Sequence, residues 1–386
     1  MNLQHEYKPR TMRYLALSIL WLVIMPASIR ASDPIVFVSA FAAGDEGAIH
    51  AYRFDSQSGQ LKLLHRTTDV EHPFFLAISP DRRFLYAIDA KEFGGEEEEF
   101  VAAYAIVADS GKLRRLNRQA AHGTASCYLE VDASGRSVLV ANYASGTIAS
   151  LPVQEDGSLV PAASIIQHSQ VSDDPQSQSA AKAHCIVVSP DNRFVLAADL
   201  GINKILNYRL DAGTAKLTTN AGQALVELPP GSGPRHLTFH PNGQRVYVIN
   251  ELNSTVTYFD YATDTGMLTE RQTVSTLPDD FSGQSFTADL KITPDGKFLY
   301  GTNRGHDSIA MFRIADDGQL QRTGIEPSLG KGPQNLLITP DGRWLMCANM
   351  PGNSLVVFAI DADTGALHAT AEPISIPMPA CIRWLE

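Results

Sequence analysis

The sequence lacks the motifs that would link it to a metal, a dithiol, a nucleotide or a nucleic acid. Its 386 residues include four cysteines without a CxxC spacing, which argues against a zinc or dithiol site. We find no G-x-S-x-G elbow, H-E-x-x-H pair, Walker loop or G-x-G-x-x-G fingerprint, so serine hydrolase, zinc protease and nucleotide-binding functions lack support. A net charge of -11 without a basic patch argues against nucleic-acid and anionic-membrane partners.

The cysteines are scattered singly through predicted strands at Cys127, Cys185, Cys347 and Cys381. We interpret all four as buried free thiols. In an exported chain one disulfide remains an alternative, with Cys347 and Cys381 as the favoured pair.

One apolar run stands out, at the N-terminus. Arg10 and Arg13 precede the run Tyr14–Ala27, and the small residues Ala31 and Ser32 offer a cleavage site. The run is shorter than the roughly 20 residues that span a bilayer. The pattern predicts a signal peptide over the first 32 residues, hence a periplasmic or secreted protein with no stable membrane association after cleavage. An uncleaved anchor is the alternative.

The rest of the chain repeats one hairpin frame. An apolar strand is followed by a Pro-Asp-Gly-like turn and then by a second strand that ends in Asn or Asp. The turn recurs at Pro80, Ala133, Pro190, Pro241, Pro294 and Pro340, at intervals of 53, 57, 51, 53 and 46 residues. A period of about 50 with four strands per repeat is typical of propeller blades.

The two ends of the chain predict how the ring closes. The segment Ile35–Leu64 has a second, third and fourth strand but no first, and Pro379–Leu385 matches a first strand. Pairing the two ends removes exposed sheet edges. We therefore predict an all-β fold over residues 33–386: one domain, a seven-bladed β-propeller of four-stranded blades.

Titratable residues cluster at one rim of this predicted propeller. The start of each first strand and the end of each second strand share that rim, away from the hairpin turn. His184 and Arg235 occupy the first position in successive blades, and Glu251 and Arg304 follow the second strands of successive blades. We predict a site in these consecutive blades. His236, Asn142, Asn250 and Asn303 are neighbouring candidates for substrate binding, although the repeated asparagines also suit a structural role in the following turn.

These residue types suit acid–base chemistry on an anionic or oxyanionic substrate. Guanidinium groups bind carboxylate or phosphate and stabilise charge on a carbonyl oxygen. Glu251 would activate water as a general base and His184 would protonate the leaving alcohol. The set fits ring opening of a lactone. A salt bridge between Arg235 and Glu251, a structural His184 and a solvated Arg304 are the alternatives.

The segments "GPRHLTFHPNGQRVYVINEL", "ADLGINKI", "ANYASGTI" and "TNRGHDSIAMF" closely resemble the seven-bladed lactonases, a family with a bacterial 6-phosphogluconolactonase type and a fungal carboxymuconate cyclase type. The resemblance covers nearly all of Ile35–Glu386. By motif position, it implies catalytic roles for His184, Arg235, Glu251 and Arg304. We predict a monomer that acts on a small-molecule lactone without a metal or other cofactor.

Two positions depart from the family pattern. The family usually has a histidine where this chain has Lys182, and a glutamate where it has Asp289. The predicted export signal also favours an unphosphorylated sugar lactone or another extracellular lactone. A lactonising cyclase and a non-catalytic propeller that binds a ligand or a protein remain alternative functions.

Two segments interrupt the repeat. Phe93–Phe100 contains four consecutive glutamates, which we interpret as a solvated loop, with a cation site as the alternative. His168–Ala183 is long and polar, and we expect a lid or an edge loop there.

Overall fold

A computed structural model describes residues 1–2, 33–169 and 180–386. All but the first two residues of the predicted signal peptide and most of the predicted His168–Ala183 loop therefore lie outside the described residues. Within the described residues, no helix has the length and apolarity needed to cross a membrane. The strands begin at Ile35 and end at Leu385.

Alternating apolar residues and hairpin turns fold the chain into seven antiparallel sheets, which we call blades 1 to 7. A single turn of 3-10 helix, Gly44–Glu46, is the only helical element in the described part of the chain. The strands are, for blade 1, β1 Ile35–Ala40, β2 Ala48–Phe54 and β3 Leu61–Thr67; for blade 2, β4 Leu76–Ile78, β5 Phe84–Asp89, β6 Phe100–Val107 and β7 Lys112–Ala120; for blade 3, β8 Ser126–Val131, β9 Ser137–Asn142, β10 Thr147–Pro152 and β11 Ser164–Gln167; for blade 4, β12 Ala183–Val188, β13 Phe194–Asp199, β14 Lys204–Asp211, β15 Lys216–Thr219 and β16 Leu225–Glu227; for blade 5, β17 Pro234–Phe239, β18 Arg245–Asn250, β19 Thr255–Ala262 and β20 Met267–Ser275; for blade 6, β21 Phe286–Ile292, β22 Phe298–Arg304, β23 Ser308–Ile314 and β24 Leu320–Pro327; for blade 7, β25 Pro333–Ile338, β26 Trp344–Asn349, β27 Ser354–Ile360, β28 Leu367–Ala369 and β29 Ile374–Ser375; and finally β30 Pro379–Leu385, which returns to blade 1.

The first strand of each blade lies against the central channel. The seven inner strands β4, β8, β12, β17, β21, β25 and β30 contact one another in that order, and β30 contacts β4. Strand β30 pairs antiparallel with β1, from Ile35 opposite Leu385 to Ala40 opposite Pro379. The predicted seven blades and the predicted closure of the ring are both confirmed.

The Pro-Asp-Gly turns fold tightly for a local reason that blade 6 illustrates. The Asp295 carboxylate accepts hydrogen bonds from Thr293 Oγ1 at 2.6 Å and from the Lys297 N–H at 3.1 Å. Gly296 has a φ of +76°, and a Cβ there would lie 2.6 Å from Nε2 of His240 in the neighbouring blade. Glycine is therefore required by both backbone conformation and space, which fixes the hairpin end of the channel.

The apolar core lies between neighbouring sheets and is rich in fully buried aromatic side chains. Among the largest of these are Tyr86, Tyr104, Phe194 and Phe259. The four cysteines are buried in it as free thiols. The interpretation of free thiols is confirmed, and the alternative disulfide between Cys347 and Cys381 is absent.

Candidate active site

A β-bulge aims one side chain from the inner strand toward the rim opposite the hairpin turns. In five blades the pairing of the first two strands skips one residue near the start of the first strand, and in blade 6 it skips Ala288 and Asp289. His184 is the skipped residue in blade 4 and Arg235 is the skipped residue in blade 5. Bulges commonly redirect side chains at functional sites. The sequence repeat therefore places both side chains at the same opening.

A cavity of about 710 Å³ opens at this rim. The four residues predicted to be catalytic all line it. Its polar wall is formed mainly by blades 4 to 7 and includes His184, Arg235, Glu251, Arg304, Lys331 and Gln334. Its apolar wall includes Phe74, Phe93, Ala125, Met350, Pro351 and Met378.

Glu251 is held between two guanidinium groups. Its Oε2 lies 2.8 Å from Arg235 Nε and 2.9 Å from Arg304 Nη2. The Nε–H of Arg235 is not aligned for a hydrogen bond, so the first contact is an ion pair. The Glu251 side chain is 17% exposed and that of Arg235 is 1% exposed. A carboxylate between two cations is thus reachable from the cavity.

Arg304 is anchored to the backbone of its own blade. Its Nη2 donates to the Thr287 carbonyl at 3.0 Å, and its Nη1 donates to Gln334 Oε1 at 3.4 Å. Burial and the charge of Arg235 lower the pKa of Arg304 to about 10, although Glu251 opposes the shift. Arg304 therefore remains a cation at neutral pH.

Arg235 is supported from behind by His236. Nη1 of Arg235 donates to the Ala288 carbonyl and lies 3.2 Å from His236 Nε2, while His236 Nδ1 lies 2.8 Å from Asp289 Oδ1. Burial, with Arg235 adding to it, lowers the pKa of His236 to about 3, against the opposing effect of Asp289. The imidazole is neutral, so its Nδ1–H donates to Asp289 and its Nε2 accepts from Arg235.

Asp289 joins three blades. Its Oδ2 accepts hydrogen bonds from Asn335 Nδ2 at 2.7 Å and from the Leu336 N–H at 2.9 Å, and Lys291 Nζ lies 2.7 Å away. Burial alone would raise the pKa of Asp289, but Lys291, His236 and the Leu336 N–H hold it well below its usual range. We did not predict this network. The sequence feature that could have indicated it is the pair Asp289 and Lys291, two residues apart in a predicted strand that faces the channel.

His184 lies beside the charged residues and is buried. Its ring makes edge contacts with Tyr143 and His236 at centroid distances of 5.3 and 5.4 Å. Burial, together with Arg235, lowers the pKa of His184 well below 6.5. A neutral imidazole is a poor general acid, so the lowered pKa favours a hydrogen-bonding role for His184, and its predicted role as the acid stays a prediction.

Cys127 lines the cavity next to His184, and its Sγ lies 3.7 Å from His184 Nδ1. Burial raises the pKa of the Cys127 thiol well above its usual range. Because the thiolate is the reactive form of cysteine, Cys127 is not positioned to act as a nucleophile.

The three asparagines named as substrate-binding candidates do not line the cavity. Asn142 donates to the Ala121 carbonyl and Thr147 Oγ1, both at 2.9 Å. Asn250 donates to two threonine hydroxyls of β19, and Asn303 donates to the Thr276 carbonyl and Ser308 Oγ. These buried amides support the turn that follows each second strand. His236 is also outside the cavity lining, behind Arg235. The contacts of these four residues support the framework of the site, and their role in substrate binding stays a prediction.

Within residues 33–169 and 180–386, no group of three or more His, Cys, Asp or Glu side chains is arranged to hold a metal ion.

The fold agrees with that of known proteins. Residues 35–384 match the family model for lactonases with a seven-bladed β-propeller. The chain is 33% identical over 353 residues to the 6-phosphogluconolactonase of Bacillus subtilis, covering 91% of this chain and 98% of that protein.

Solved structures give the same result. A putative 6-phosphogluconolactonase from Bacteroides fragilis superimposes with a TM-score of 0.84 at 31% identity, covering 94% of this chain and all of that one. The periplasmic gluconolactonase of Pseudomonas aeruginosa gives a TM-score of 0.84 at 30% identity, covering 92% and 99%. The chain belongs to the seven-bladed β-propeller lactonase family.

Proposed function

We propose that this protein is a lactone hydrolase of the 6-phosphogluconolactonase type and that it opens a sugar-derived lactone at the rim cavity. The single observation that carries the proposal is the Glu251 carboxylate, which shares Oε2 between Arg235 and Arg304 and faces a cavity that substrate can enter. The names of relatives and structural neighbours point to the same reaction.

In the proposed reaction, Glu251 takes a proton from a water molecule while the water oxygen attacks the lactone carbonyl carbon. Arg235 and Arg304 stabilise the oxyanion that forms, and positioned cationic donors are an effective means of doing so. The ring C–O bond then breaks, and the protonated Glu251 returns its proton to the departing alkoxide. The product is the open hydroxy acid.

The neutral His184 has a supporting role in this scheme. Its imidazole can orient the attacking water or a substrate hydroxyl through a hydrogen bond. The proton that the leaving alcohol needs comes from Glu251, because His184 carries no extra proton at neutral pH. This assignment differs from our prediction for His184 and keeps our prediction for Glu251.

The decisive test is hydrolysis of glucono-δ-lactone and its 6-phosphate above the spontaneous rate in the same buffer. Glu251→Gln should lower kcat by about 10²–10⁴-fold, the range for loss of a general base. Glu270→Gln, which changes an exposed glutamate on β20 of the same blade, is the matched control. Equal rates for Glu251→Gln and the parent would remove Glu251 from the mechanism.

We also propose that the protein is exported through the signal at its N-terminus. One structural neighbour is a periplasmic enzyme, which supports an unphosphorylated sugar lactone as the substrate. Fractionation of cells expressing the full chain and a chain without residues 1–32 tests the location. Equal export of both would contradict the signal.

A further inference from the structure

The cavity continues beyond the charged residues onto an aromatic wall. Phe74 and Phe93 both line it and stack on each other, with ring centroids 5.2 Å apart and an angle of 24° between the rings. Phe41 packs edge-on against both, at 5.1 and 4.8 Å. This aromatic wall of Phe41, Phe74 and Phe93 lies in blades 1 and 2, across the ring from Arg235 and Glu251 in blade 5.

The loop that interrupts the repeat delivers Phe93 to this wall. It is anchored by Glu99, whose side chain is fully buried. Glu99 accepts hydrogen bonds from the N–H groups of Gly94 at 2.8 Å, Ala125 at 2.7 Å and Ser126 at 2.6 Å. The interpretation of the acidic run as solvated therefore holds for the exposed Glu96–Glu98 and is wrong for Glu99.

The anchor fixes the loop to the start of β8, where Ala125 itself lines the cavity. A buried carboxylate with three backbone donors is a stable arrangement, so Phe93 is held in place. The contact between Glu99 and the start of β8 thus gives the Phe93–Phe100 loop a role, which is to position Phe93 in the cavity wall.

The chemistry of the wall disfavours an anionic occupant. The wall itself carries no cation, and its loop exposes Glu96, Glu97 and Glu98, which disfavour a phosphate or carboxylate on this side. The cavity, at about 710 Å³, falls within the range of about 300–1,000 Å³ that is usual for drug-sized ligands. It has room for a lactone ring at Glu251 and for a further substituent.

From this geometry we propose that the enzyme also hydrolyses lactones with an uncharged, apolar substituent, and that Phe74 and Phe93 determine this specificity. This inference rests on the proposed lactonase activity. The ring carbonyl binds at Arg235 and Arg304, and the alkyl or aryl substituent packs on the aromatic wall. A methylene group in an apolar pocket changes discrimination by about 10–200-fold.

The test compares kcat/KM for δ-valerolactone, which has no substituent, with that for δ-decalactone, which carries a pentyl chain. We expect at least a 10-fold preference for δ-decalactone. Phe93→Ala should lower kcat/KM for δ-decalactone by about 10-fold more than for δ-valerolactone, and Phe93→Leu should restore most of the preference. Glu99→Gln should also reduce the preference because it weakens the loop anchor.

Phe281→Ala is the matched control, since Phe281 is a half-buried aromatic residue that packs on His306 outside the cavity lining. It should leave the preference unchanged. Equal kcat/KM for both lactones, or an equal loss on both in Phe93→Ala, would overturn the inference. Hydrolysis of glucono-δ-lactone alone would overturn it too while leaving the proposed function intact, whereas no hydrolysis of any lactone would overturn both.

Discussion

Blades 4 to 6 and blades 1 to 3 share one backbone frame but differ in what they present to the cavity. At equivalent bulge positions, blades 4 and 5 carry His184 and Arg235, while blades 1 and 3 carry Ala380 and Cys127. The repeated fold therefore provides equivalent bulge positions around the rim, and the residue types at a few of these positions determine where the ionisable groups of the site lie. The two halves together form a site with a charged wall and an apolar wall.

The two walls are also stabilised differently. The charged wall depends on a chain of contacts from Glu251 through Arg235 and His236 to Asp289, so each member needs its neighbours. The apolar wall depends on ring packing and on one anchored loop. We expect substitutions in the charged wall to lower the free energy of unfolding more than substitutions in the apolar wall, because a buried charge that loses its partner strongly destabilises the folded state.

The largest effect on the charged side should come from Asp289→Asn. This change removes the carboxylate that Lys291, His236 and Asn335 share, and we expect the free energy of unfolding to fall by about 3 kcal/mol. Urea unfolding of parent and variant measures the loss. The exposed Asp264→Asn is the control, and the same small loss in both would mean that the network does not stabilise the ring.

A smaller effect, on activity, should follow from Arg304→Gln. Loss of one donor to the oxyanion lowers kcat by about 10²-fold, with little change in the folded state because Arg304 is partly exposed. Stopped-flow assays on glucono-δ-lactone report kcat directly. Arg322→Gln on β24 of the same blade serves as the control, and a rise in KM alone would assign Arg304 to substrate binding.

The smallest effect should appear in blade 1, far from the charged wall. Burial, with Arg66 contributing, lowers the pKa of His50 from 6.5 to about 4. Between these two pH values the imidazole of His50 binds a proton in the unfolded chain but not in the folded protein. The free energy of unfolding is therefore retained above pH 6.5 and falls as the pH decreases below it.

We expect His50→Leu to lose less stability than the parent between pH 7.5 and pH 4.5, as followed by urea unfolding midpoints. The exposed His368→Leu should keep the pH dependence of the parent. An unchanged pH dependence in His50→Leu would place the acid sensitivity elsewhere, with His184 and His236 of the charged side as the next candidates.

The repeat in the sequence was enough to predict the fold and the meeting of four side chains. The four residues His184, Arg235, Glu251 and Arg304 occupy repeated positions. In a closed ring of blades, these positions lie at the same rim. The family resemblance named the same four residues. Their proximity therefore follows from register alone.

Features that break the repeat could not be predicted in this way. The positions of Phe93 and Glu99 depend on how one insertion folds back on β8, which no other blade repeats. The protonation of His184 depends on burial by neighbouring blades. The asparagines looked like rim residues in the sequence, but their amides bond to their own blade or to the segment that follows the preceding blade, and they do not line the cavity.

The pairing of β1 with β30 joins segments about 340 residues apart in the chain. Blade 1 therefore lacks its inner strand until β30 has been synthesised. Contacts across such a distance form slowly. We therefore expect closure of the ring to be a late step in folding, and removal of β30 would leave β1 as an unpaired sheet edge.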